Sequence, residues 1–450
     1  MKQVNNSLGR AVETTAARGT VYSVIGLFFT ILSGYVVHVG VARIFGSELY
    51  GLFGIAISVL GWLEITISAG FPAAAKKFIS ENSQWAGAVT RITLKLQLLL
   101  SFFLFLVVFV LAPHISHWLQ DIRLSFYLRV ASLDLLVYGV YTLYFSILNG
   151  KRLFVQANLT LIIYSLSRLI LIYLLVWLGL SLTGVFVGNV LASFVGLVVA
   201  RSLSHSDKLE KEFSALRVIR FSLPTSLFIL LFELLMVIDL LCVKGLIQIP
   251  EQAGFYTAAQ AIAKIPYLFP MALSMTLFPS FSKAIARADI DLTKRYINQA
   301  LRFVLMLSLP IVLIISAGAE GLISIIYSRA YSSAGAILSI LAFGMLFLIL
   351  LRTLTVVFIA NGEPAVPLKI VMFLIPVDLF FNFLLIPQYG SRGAAFATTL
   401  TSIGGLIIAA VLIFERFHTL VNIPSLLRIL VASLTGYLLL FLFSGSGIVF

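Results

Sequence analysis

A set of short motifs occurs twice along this chain, in the same order and about 200 residues apart. The repeated elements are E-x-x-G-[LF]-[FY]-x-x-A at residues 48–56 and 251–259, F-P-x-x-x-K at 71–76 and 278–283, and Asn-Gly at 149–150 and 361–362. A duplicated helical half is typical of alternating-access transporters, in which the substrate binds between the two halves. The repeat therefore predicts two related halves and indicates movement of a substrate across a membrane.

The composition is that of a membrane protein. Of the residues 60% are hydrophobic and 11% charged, whereas soluble proteins carry about 25% charged residues. Apolar runs long enough to cross about 30 Å of hydrocarbon recur along the whole chain, and unpaired backbone groups in lipid favour helices over strands. We predict an all-α polytopic protein of about 13 transmembrane helices. Their predicted limits are 20–43, 49–74, 87–112, 122–150, 153–179, 181–203, 217–242, 254–281, 297–318, 334–361, 366–387, 391–415 and 424–443.

The basic residues of the loops predict the orientation. Most lie in the segments on the same side as the N-terminus, and those on the opposite side are Arg43, Arg123, Lys244, Arg329 and Arg392. The positive-inside rule therefore predicts a cytoplasmic N-terminus, and we expect a multi-pass protein of the cytoplasmic membrane. The net charge of +13 is spread over short loops, which favours anionic membrane lipids over nucleic acid as the partner.

The longest polar stretch, residues 201–220, separates the two predicted halves. We predict an N-terminal six-helix lobe at 1–205, a C-terminal six-helix lobe at 206–415, and an additional transmembrane helix within 416–450. Six spans in each half give both halves the same orientation, so the repeat is parallel, about an axis along the membrane normal.

The sequence contains no recognisable catalytic or metal-binding motif. The single cysteine, Cys242, excludes a disulfide within one chain, and two outer-loop histidines, His114 and His117, do not make a metal site. A Walker A loop, a dinucleotide fingerprint and a plausible catalytic triad are all missing. We therefore expect a protein that is not an enzyme, without catalytic residues, metal or cofactor. The energy for transport is expected from an ion gradient or a substrate gradient.

Several charged residues fall inside the predicted spans, where an ionisable group is costly and is by default a functional hypothesis. They are Glu64, Arg129, Asp134, Arg168, Glu233, Asp239, Lys264, Arg352 and Asp378. The alternatives are a structural ion pair, or a side chain that reaches the interface from a span end.

These alternatives apply differently along the chain. Arg129 and Asp239 lie near the outer ends of their spans. For both residues, a side chain that reaches the membrane interface is as reasonable an interpretation as a functional role. Asp134 and Arg168 lie at similar depths on consecutive spans, which suits a structural pair. A common depth also relates three residues of the second half, namely Glu233, Lys264 and Asp378. Arg352 lies closer to the cytoplasm with no obvious partner.

Lys264 precedes two prolines of the same span, Pro266 and Pro270. Each proline removes a helix hydrogen bond and bends the helix. A lysine at such a bend suits a moving wall that touches an anion, and prolines that only shape packing are the alternative.

These patterns resemble the multidrug/oligosaccharidyl-lipid/polysaccharide exporter superfamily, and within it the polysaccharide-type flippases. The likeness covers about residues 15–415. It rests on A-R-I-F-G-S-E-L-Y-G at 42–51, A-G-F-P-A-A at 69–74, I-D-L at 238–240, A-G-F-Y-x-A-A at 253–259, L-I-P-Q-Y-G at 385–390 and G-A-A-F-A-T at 393–398.

The resemblance implies two six-helix bundles in a V-shaped arrangement with a central cavity. It implies a flippase for an oligosaccharide linked to polyprenyl pyrophosphate, in the biosynthesis of cell-surface polysaccharide beside the polymerase machinery. Basic cavity residues hold the pyrophosphate in such flippases, and Arg168, Lys264 and Arg352 are the best counterparts here. Glu64, Glu233 and Asp378 are the candidates for binding a coupling proton or sodium ion.

Two other functions are compatible with the sequence. A drug or cation antiporter of the same superfamily would use a carboxylate to exchange protons or sodium for an organic cation. A membrane glycosyltransferase, polymerase or ligase would act on the same lipid, but such enzymes usually carry a long outer loop with catalytic residues, and the outer loops here are short. A purely structural membrane protein would not need so many charges within its spans.

Overall fold

The computed structural model describes residues 2–204, 212–267, 289–361 and 363–444, with side chains described from residue 22 to residue 437. Four sequence features lie outside these ranges: the second F-P-x-x-x-K motif, Pro270, the middle of the 201–220 linker, and Gly362 of the second Asn-Gly motif. The described chain is helical, and its helices are α1 Lys2–Ala69, α2 Phe71–Glu81, α3 Ala86–Trp118, α4 Arg123–Gly150, α5 Phe154–Leu175, α6 Ser181–Leu203, α7 Ala215–Leu235, α8 Ile238–Leu246, α9 Pro250–Ala263, α10 Ile290–Ala317, α11 Ala319–Ile326, α12 Ala334–Ala360, α13 Ala365–Tyr389, α14 Ser391–Phe417 and α15 Ile423–Ser444.

Nine stretches of the described chain are long and apolar enough to cross a membrane, which confirms an all-α multi-pass protein. Two of them, at Tyr22–Glu81 and Phe154–Leu203, are 60 and 50 residues long. A straight helix of 60 residues would measure about 90 Å, three times the hydrocarbon thickness. Both stretches are broken at a glycine with positive φ, Gly46 at 75° and Gly179 at 88°. Each therefore holds two of the predicted spans.

Two further predicted spans are only partly seen. The predicted span at 254–281 begins as α9 and continues into a short 3-10 helix at Ile265–Tyr267, beyond which the chain lies outside the described residues. The last predicted span is present as α15, whose apolar part within the described side chains is Ile423–Tyr437.

The predicted span at 217–242 is wrong as a single helix, because the chain breaks between α7 and α8. The amides of Met236 and Val237 bond to carbonyls only three residues back, on Glu233 and Leu234. The side-chain amide of Gln260 donates to the carbonyl oxygen of Met236 at 3.0 Å, so a tertiary contact takes up a backbone group that the break frees.

Two compact units make up the chain. Unit 1 comprises Met1–Val41 and Ala56–Leu230, and unit 2 comprises Ala42–Ile55 and Leu231–Phe450. The later boundary between the two units falls within α7. The lobe boundaries at 205 and 415 were derived from the sequence repeat and stay a prediction.

A central helix organises each unit. In unit 1, α4 packs against α2, α3, α5 and α6, and in unit 2, α12 packs against α9, α10, α11, α13 and α14. Each is the most buried membrane-spanning helix of its unit. Each also ends at one copy of the repeated Asn-Gly motif, since α4 runs to Gly150 and Asn361 follows the last residue of α12. The Asn-Gly repeat thus marks equivalent central helices.

The segment Ala42–Ile55 of α1 packs within unit 2. The guanidinium of Arg43 donates through Nε to the carbonyl oxygen of Ile326 at 2.8 Å, at the C-terminus of α11. The hydroxyl of Tyr331 donates to the carbonyl oxygen of Ala42 at 3.0 Å. Tyr50 hydrogen-bonds to the hydroxyl of Tyr327 at 3.3 Å. Burial raises the pKa of Tyr327 to about 12, so the neutral hydroxyl persists over the physiological pH range.

The two copies of the E-x-x-G-[LF]-[FY]-x-x-A motif contact each other in this region. A Cβ atom added to Gly254 would lie 2.0 Å from the carbonyl oxygen of Ser47, and one added to Gly51 would lie 2.9 Å from the backbone nitrogen of Gly254. The shared glycine of the motif therefore allows two backbones to approach, which no larger residue permits.

Candidate functional site

Asp239 is a charged residue of unit 2 that lies at the start of α8. Its side chain is fully buried. Its carboxylate accepts hydrogen bonds from the backbone nitrogen of Leu240 at 2.8 Å, from the hydroxyl of Tyr256, and from the hydroxyl of Thr398 at 3.1 Å. The first turn of a helix is also electrostatically favourable for a carboxylate. Of the two alternatives given for Asp239, a side chain that reaches the interface does not apply, because the residue that follows the break before α8 is fully buried.

A second buried carboxylate, Asp378, lies near Asp239. It sits on α13 two residues after Pro376, and its side chain is 1% exposed. The amide of Asn382 donates to its Oδ2 at 3.0 Å, and Thr401 of α14 and the charge of Asp239 are its other neighbours. Its Oδ1 and the Oδ1 of Asn382 have no hydrogen-bond partner among the described residues. This arrangement offers several oxygen atoms and two negative charges to a hard cation.

Arg352 and Glu233 form an ion pair, with Nη1 of the arginine 3.0 Å from Oε1 of the glutamate. The guanidinium also lies over two rings, 5.2 Å from the centre of Phe232 and 5.1 Å from that of Tyr267. Arg352, for which the sequence showed no obvious partner, therefore has one in Glu233. The partner was missed because it lies on a helix more than a hundred residues earlier in the chain. About a third of the arginine side chain, 34%, stays exposed.

Lys264 links these two groups of charges. It follows the last residue of α9, and its backbone nitrogen donates to the carbonyl oxygen of Gln260. Its ammonium group interacts with the charges of Asp239 and Glu233. The structure therefore brings together three of the predicted site residues, Glu233, Lys264 and Arg352, and connects them through Asp239 to Asp378.

Unit 1 contains the other two predicted site residues, Glu64 of α1 and Arg168 of α5. Both interact with the charge of Asp134 on α4, and with each other. Asp134 is 1% exposed, and its Oδ2 accepts a hydrogen bond of 2.5 Å from the amide of Asn189 on α6. The predicted pairing of Asp134 with Arg168 is thus one part of a three-residue charge group that also contains Glu64.

Arg129 behaves as a residue of the protein surface. Its Nε donates to the carbonyl oxygen of Phe109 at 3.3 Å, and its guanidinium lies 5.0 Å from the centre of that ring. Neither contact involves a carboxylate. Arg129 therefore serves below as a matched control for the basic residues within the charge groups.

Within the described residues, no group of three or more histidine, cysteine, aspartate or glutamate side chains has the arrangement of a metal site. The charged side chains brought together in unit 1 and in unit 2 are suited to binding cations and anions. Cationic side chains suit phosphate oxygens, and buried carboxylates with unfilled oxygens suit a proton or a small cation.

Known protein families and individual proteins have sequences similar to that of this chain. The sequence profile of the polysaccharide biosynthesis protein family matches residues 16–285, and the MatE profile matches residues 224–384. A probable lipid II flippase MurJ of Rickettsia prowazekii is 31% identical over 147 residues, which span 30% of this chain and 29% of that protein. The chain thus matches less than a third of that relative's length.

Two solved structures have a similar fold. One is an inward-facing multidrug resistance MATE family transporter of the MOP superfamily, with a TM-score of 0.77, 15% identity, and coverage of 89% of this chain and 98% of that chain. The other is a lipid II flippase MurJ in an inward closed conformation, with a TM-score of 0.75, 18% identity, and coverage of 94% and 92%. At these identities the structures establish the fold, which agrees with the all-α polytopic prediction.

Proposed function

The chain belongs to the polysaccharide biosynthesis protein family, whose profile covers more than half of it, and we propose that it is a transporter of the MOP superfamily that flips a lipid-linked oligosaccharide. The substrate class is an oligosaccharide on polyprenyl pyrophosphate, turned from the cytoplasmic to the outer leaflet of the cytoplasmic membrane by alternating access. Sugars and a pyrophosphate cannot cross hydrocarbon unaided. The family description and the MurJ relative support this substrate class.

The observation that carries the proposal is the unfilled hydrogen-bonding capacity of basic residues within the spans. The Nε atom of Arg168 is buried and has no hydrogen-bond partner among the described residues. Glu233 engages Nη1 of Arg352, whose side chain remains partly exposed. Guanidinium donors in this state suit the oxygens of a pyrophosphate. We assign Arg168, Lys264 and Arg352 to the pyrophosphate, and Glu64, Glu233 and Asp378 to a coupling proton or sodium ion.

A flipping assay tests the proposal. Purified protein is reconstituted into vesicles that hold a sugar-bearing polyprenyl pyrophosphate, and a membrane-impermeant lectin reports how much sugar has moved to the outer leaflet. We expect transfer to exceed that of protein-free vesicles, and the same sugar on a neutral polyprenyl carrier to move no faster than in those vesicles. Equal rates for the charged and neutral carriers would exclude the pyrophosphate as the recognised group.

A cation antiporter is the second candidate function, because the MatE profile covers residues 224–384 and Asp239 and Asp378 are buried carboxylates there. Uptake of a cationic dye by the same vesicles, driven by a proton or sodium gradient, distinguishes the two functions. Dye transport without flipping of the lipid would favour the antiporter.

The proposed orientation places the N-terminus in the cytoplasm, and cysteine labelling tests it. Replacing buried Cys242 by serine gives a cysteine-free background. In that background Ser332→Cys, an exposed position in a predicted outer loop, is expected to react with an impermeant maleimide on intact cells. Ser83→Cys, an exposed position in a predicted inner loop, is expected to react only after permeabilisation. The reverse result would invert the topology.

A further inference from the structure

Two of the repeated motifs meet in unit 1, although the proposed function uses neither of them. Helix α2 begins with the first F-P-x-x-x-K motif, and it packs against α4, which ends at the first Asn-Gly motif. A Cβ atom added to Gly150 would lie 3.1 Å from the carbonyl oxygen of Lys76 and 3.1 Å from the Cβ atom of Ile79. The glycine of one motif therefore brings the end of α4 against the backbone of the other motif.

This contact borders a cleft of about 410 Å³ in unit 1. Its walls are the end of α2, the turn at 82–83, the first residue of α3, and the end of α4. From the end of α4, the residues that line the cleft are Gly150, Lys151 and Arg152. The volume falls within the range of small-molecule sites, about 300–1,000 Å³.

The charges around the cleft favour an anion. Two basic side chains, Lys151 and Arg152, line it, and the only carboxylate among its described lining residues is that of Glu81. Both oxygens of that carboxylate face cations, since Oε1 lies 4.0 Å from Nζ of Lys77 and Oε2 lies 3.7 Å from Nη2 of Arg217. These ion pairs offset the negative charge of Glu81. The lining therefore attracts anions more than cations.

Arg152 has an unusual backbone conformation for an arginine. Its φ is 61°, and its amide donates to the carbonyl oxygen of Asn149 at 3.0 Å, just after the end of α4. Glycine is the usual residue in this left-handed conformation after a helix, because a Cβ atom is strained there. An arginine at this position indicates a use for its guanidinium.

The start of α3 adds favourable electrostatics for an anion. Ala86, the first residue of this 33-residue helix, lines the cleft. The residue before it, Trp85, has no side-chain oxygen with which to cap the amides of the first turn. Such amides carry a partial positive charge and bind phosphate groups well. They border the same cleft as the two basic side chains.

We propose that this cleft binds a phosphate group through Lys151, Arg152 and the first turn of α3. A guanidinium presents two N–H groups to two phosphate oxygens, and an ammonium group supplies a point charge. The predicted topology puts the cleft at the cytoplasmic end of its helices, where the phosphate group belongs to an anionic lipid or to a soluble phosphate. The site shares no residue with the pyrophosphate assignment of Arg168, Lys264 and Arg352, so it stands independently of the proposed function.

Thermal unfolding of the purified full-length protein measures this binding, because a ligand that binds only the folded state raises the Tm. The protein is held in maltoside micelles free of phospholipid. The first probe is inorganic phosphate, compared with chloride at the same ionic strength, and the second is phosphatidylglycerol added to the micelles. We expect a saturable rise in Tm. A response to inorganic phosphate identifies a soluble ligand, and a response confined to phosphatidylglycerol identifies a lipid headgroup.

The variant Arg152→Gly separates binding from folding, because glycine removes the guanidinium and suits the left-handed backbone. Without a probe, its Tm should equal or exceed that of the wild type. The probe concentration that gives half of the Tm rise should increase at least about tenfold, since charge-assisted hydrogen bonds are lost. Lys95→Ala removes an exposed basic residue of α3 that does not line the cleft, and this control should respond as the wild type does.

Three results would overturn the site. They are no rise in Tm with either probe, an equal response of Arg152→Gly and Lys95→Ala, and a lower Tm of Arg152→Gly without a probe, which would show that the arginine serves the fold. If Arg152→Gly does not fold at all, Lys151→Gln provides the same comparison of probe concentrations. Flipping does not enter these measurements, so refuting the proposed substrate would leave the phosphate site in place.

Discussion

Replacing Lys264 by alanine is expected to abolish flipping of the pyrophosphate-linked substrate while leaving a normal amount of folded protein in the membrane. Asp239 is the acid whose charge interacts most strongly with the lysine. In the variant its carboxylate keeps the hydrogen bonds from Leu240, Tyr256 and Thr398. The fold therefore does not depend on the lysine to satisfy that carboxylate, whereas a phosphate within the membrane loses its counter-charge. Complementation of a flippase-deficient strain with the matching sugar pathway, together with the vesicle assay, provides the measurement.

Arg168→Ala is expected to behave in the same way, since Asn189 continues to donate to Asp134. Arg129→Ala provides the matched control, because this arginine lies within a span and its guanidinium contacts the backbone and ring of Phe109; it should transport normally. Lys264→Arg is expected to retain part of the activity, since a point contact with phosphate depends more on charge than on shape. Wild-type transport by both alanine variants would refute the assignment. Their disappearance from the membrane would instead identify the basic residues as partners in structural ion pairs.

Gly254→Ala is expected to produce the largest loss of stability among single substitutions at the repeated motif. The new methyl group would meet the backbone carbonyl oxygen of Ser47 at 2.0 Å, and a backbone atom cannot rotate away as a side chain can. Forcing an extra methyl group into such a contact costs about 1–3 kcal/mol. Thermal unfolding of the purified protein should show a clear fall in Tm, with less folded protein recovered from membranes.

Gly404→Ala gives the comparison for this variant. This glycine also lies in a helix of unit 2, but an added Cβ would find nothing within 4 Å. Its Tm should stay close to that of the wild type or rise slightly, because alanine is the better helix former. An unchanged Tm for Gly254→Ala would mean that the two copies of the motif do not pack closely in the protein.

The helices were predictable where the chain carries its own signals. Apolar runs gave the spans, and Gly46 lies in the gap predicted between the first two of them. The break between α7 and α8 carries no such signal, because Met236 and Val237 are ordinary apolar residues. A side chain from another helix, Gln260, stabilises the freed backbone there. Tertiary contacts of this kind cannot be read from local sequence.

The site residues show the same limit. Burial cost was enough to single out the charged residues that meet in each unit. Depth along a span did not reveal their partners, because Glu233 and Arg352 meet from helices far apart in sequence. Asp239 was placed near an interface by counting residues along a continuous helix, and that count fails once the helix is broken. Asn189, which donates to Asp134, carries no charge, and nothing in the sequence distinguishes it from a packing residue.

The inclusion of Ala42–Ile55 in unit 2 has a consequence for biogenesis. This segment leaves the ribosome early, whereas its contacts Gly254 and Ile326 are synthesised about 200 and 280 residues later. At about 5–20 residues per second, these contacts become available only after roughly 10 to 60 seconds. Until then Arg43 lacks the carbonyl that it caps in the finished protein. This segment of α1 therefore completes its packing late in translation, well after the helix that contains it has been synthesised.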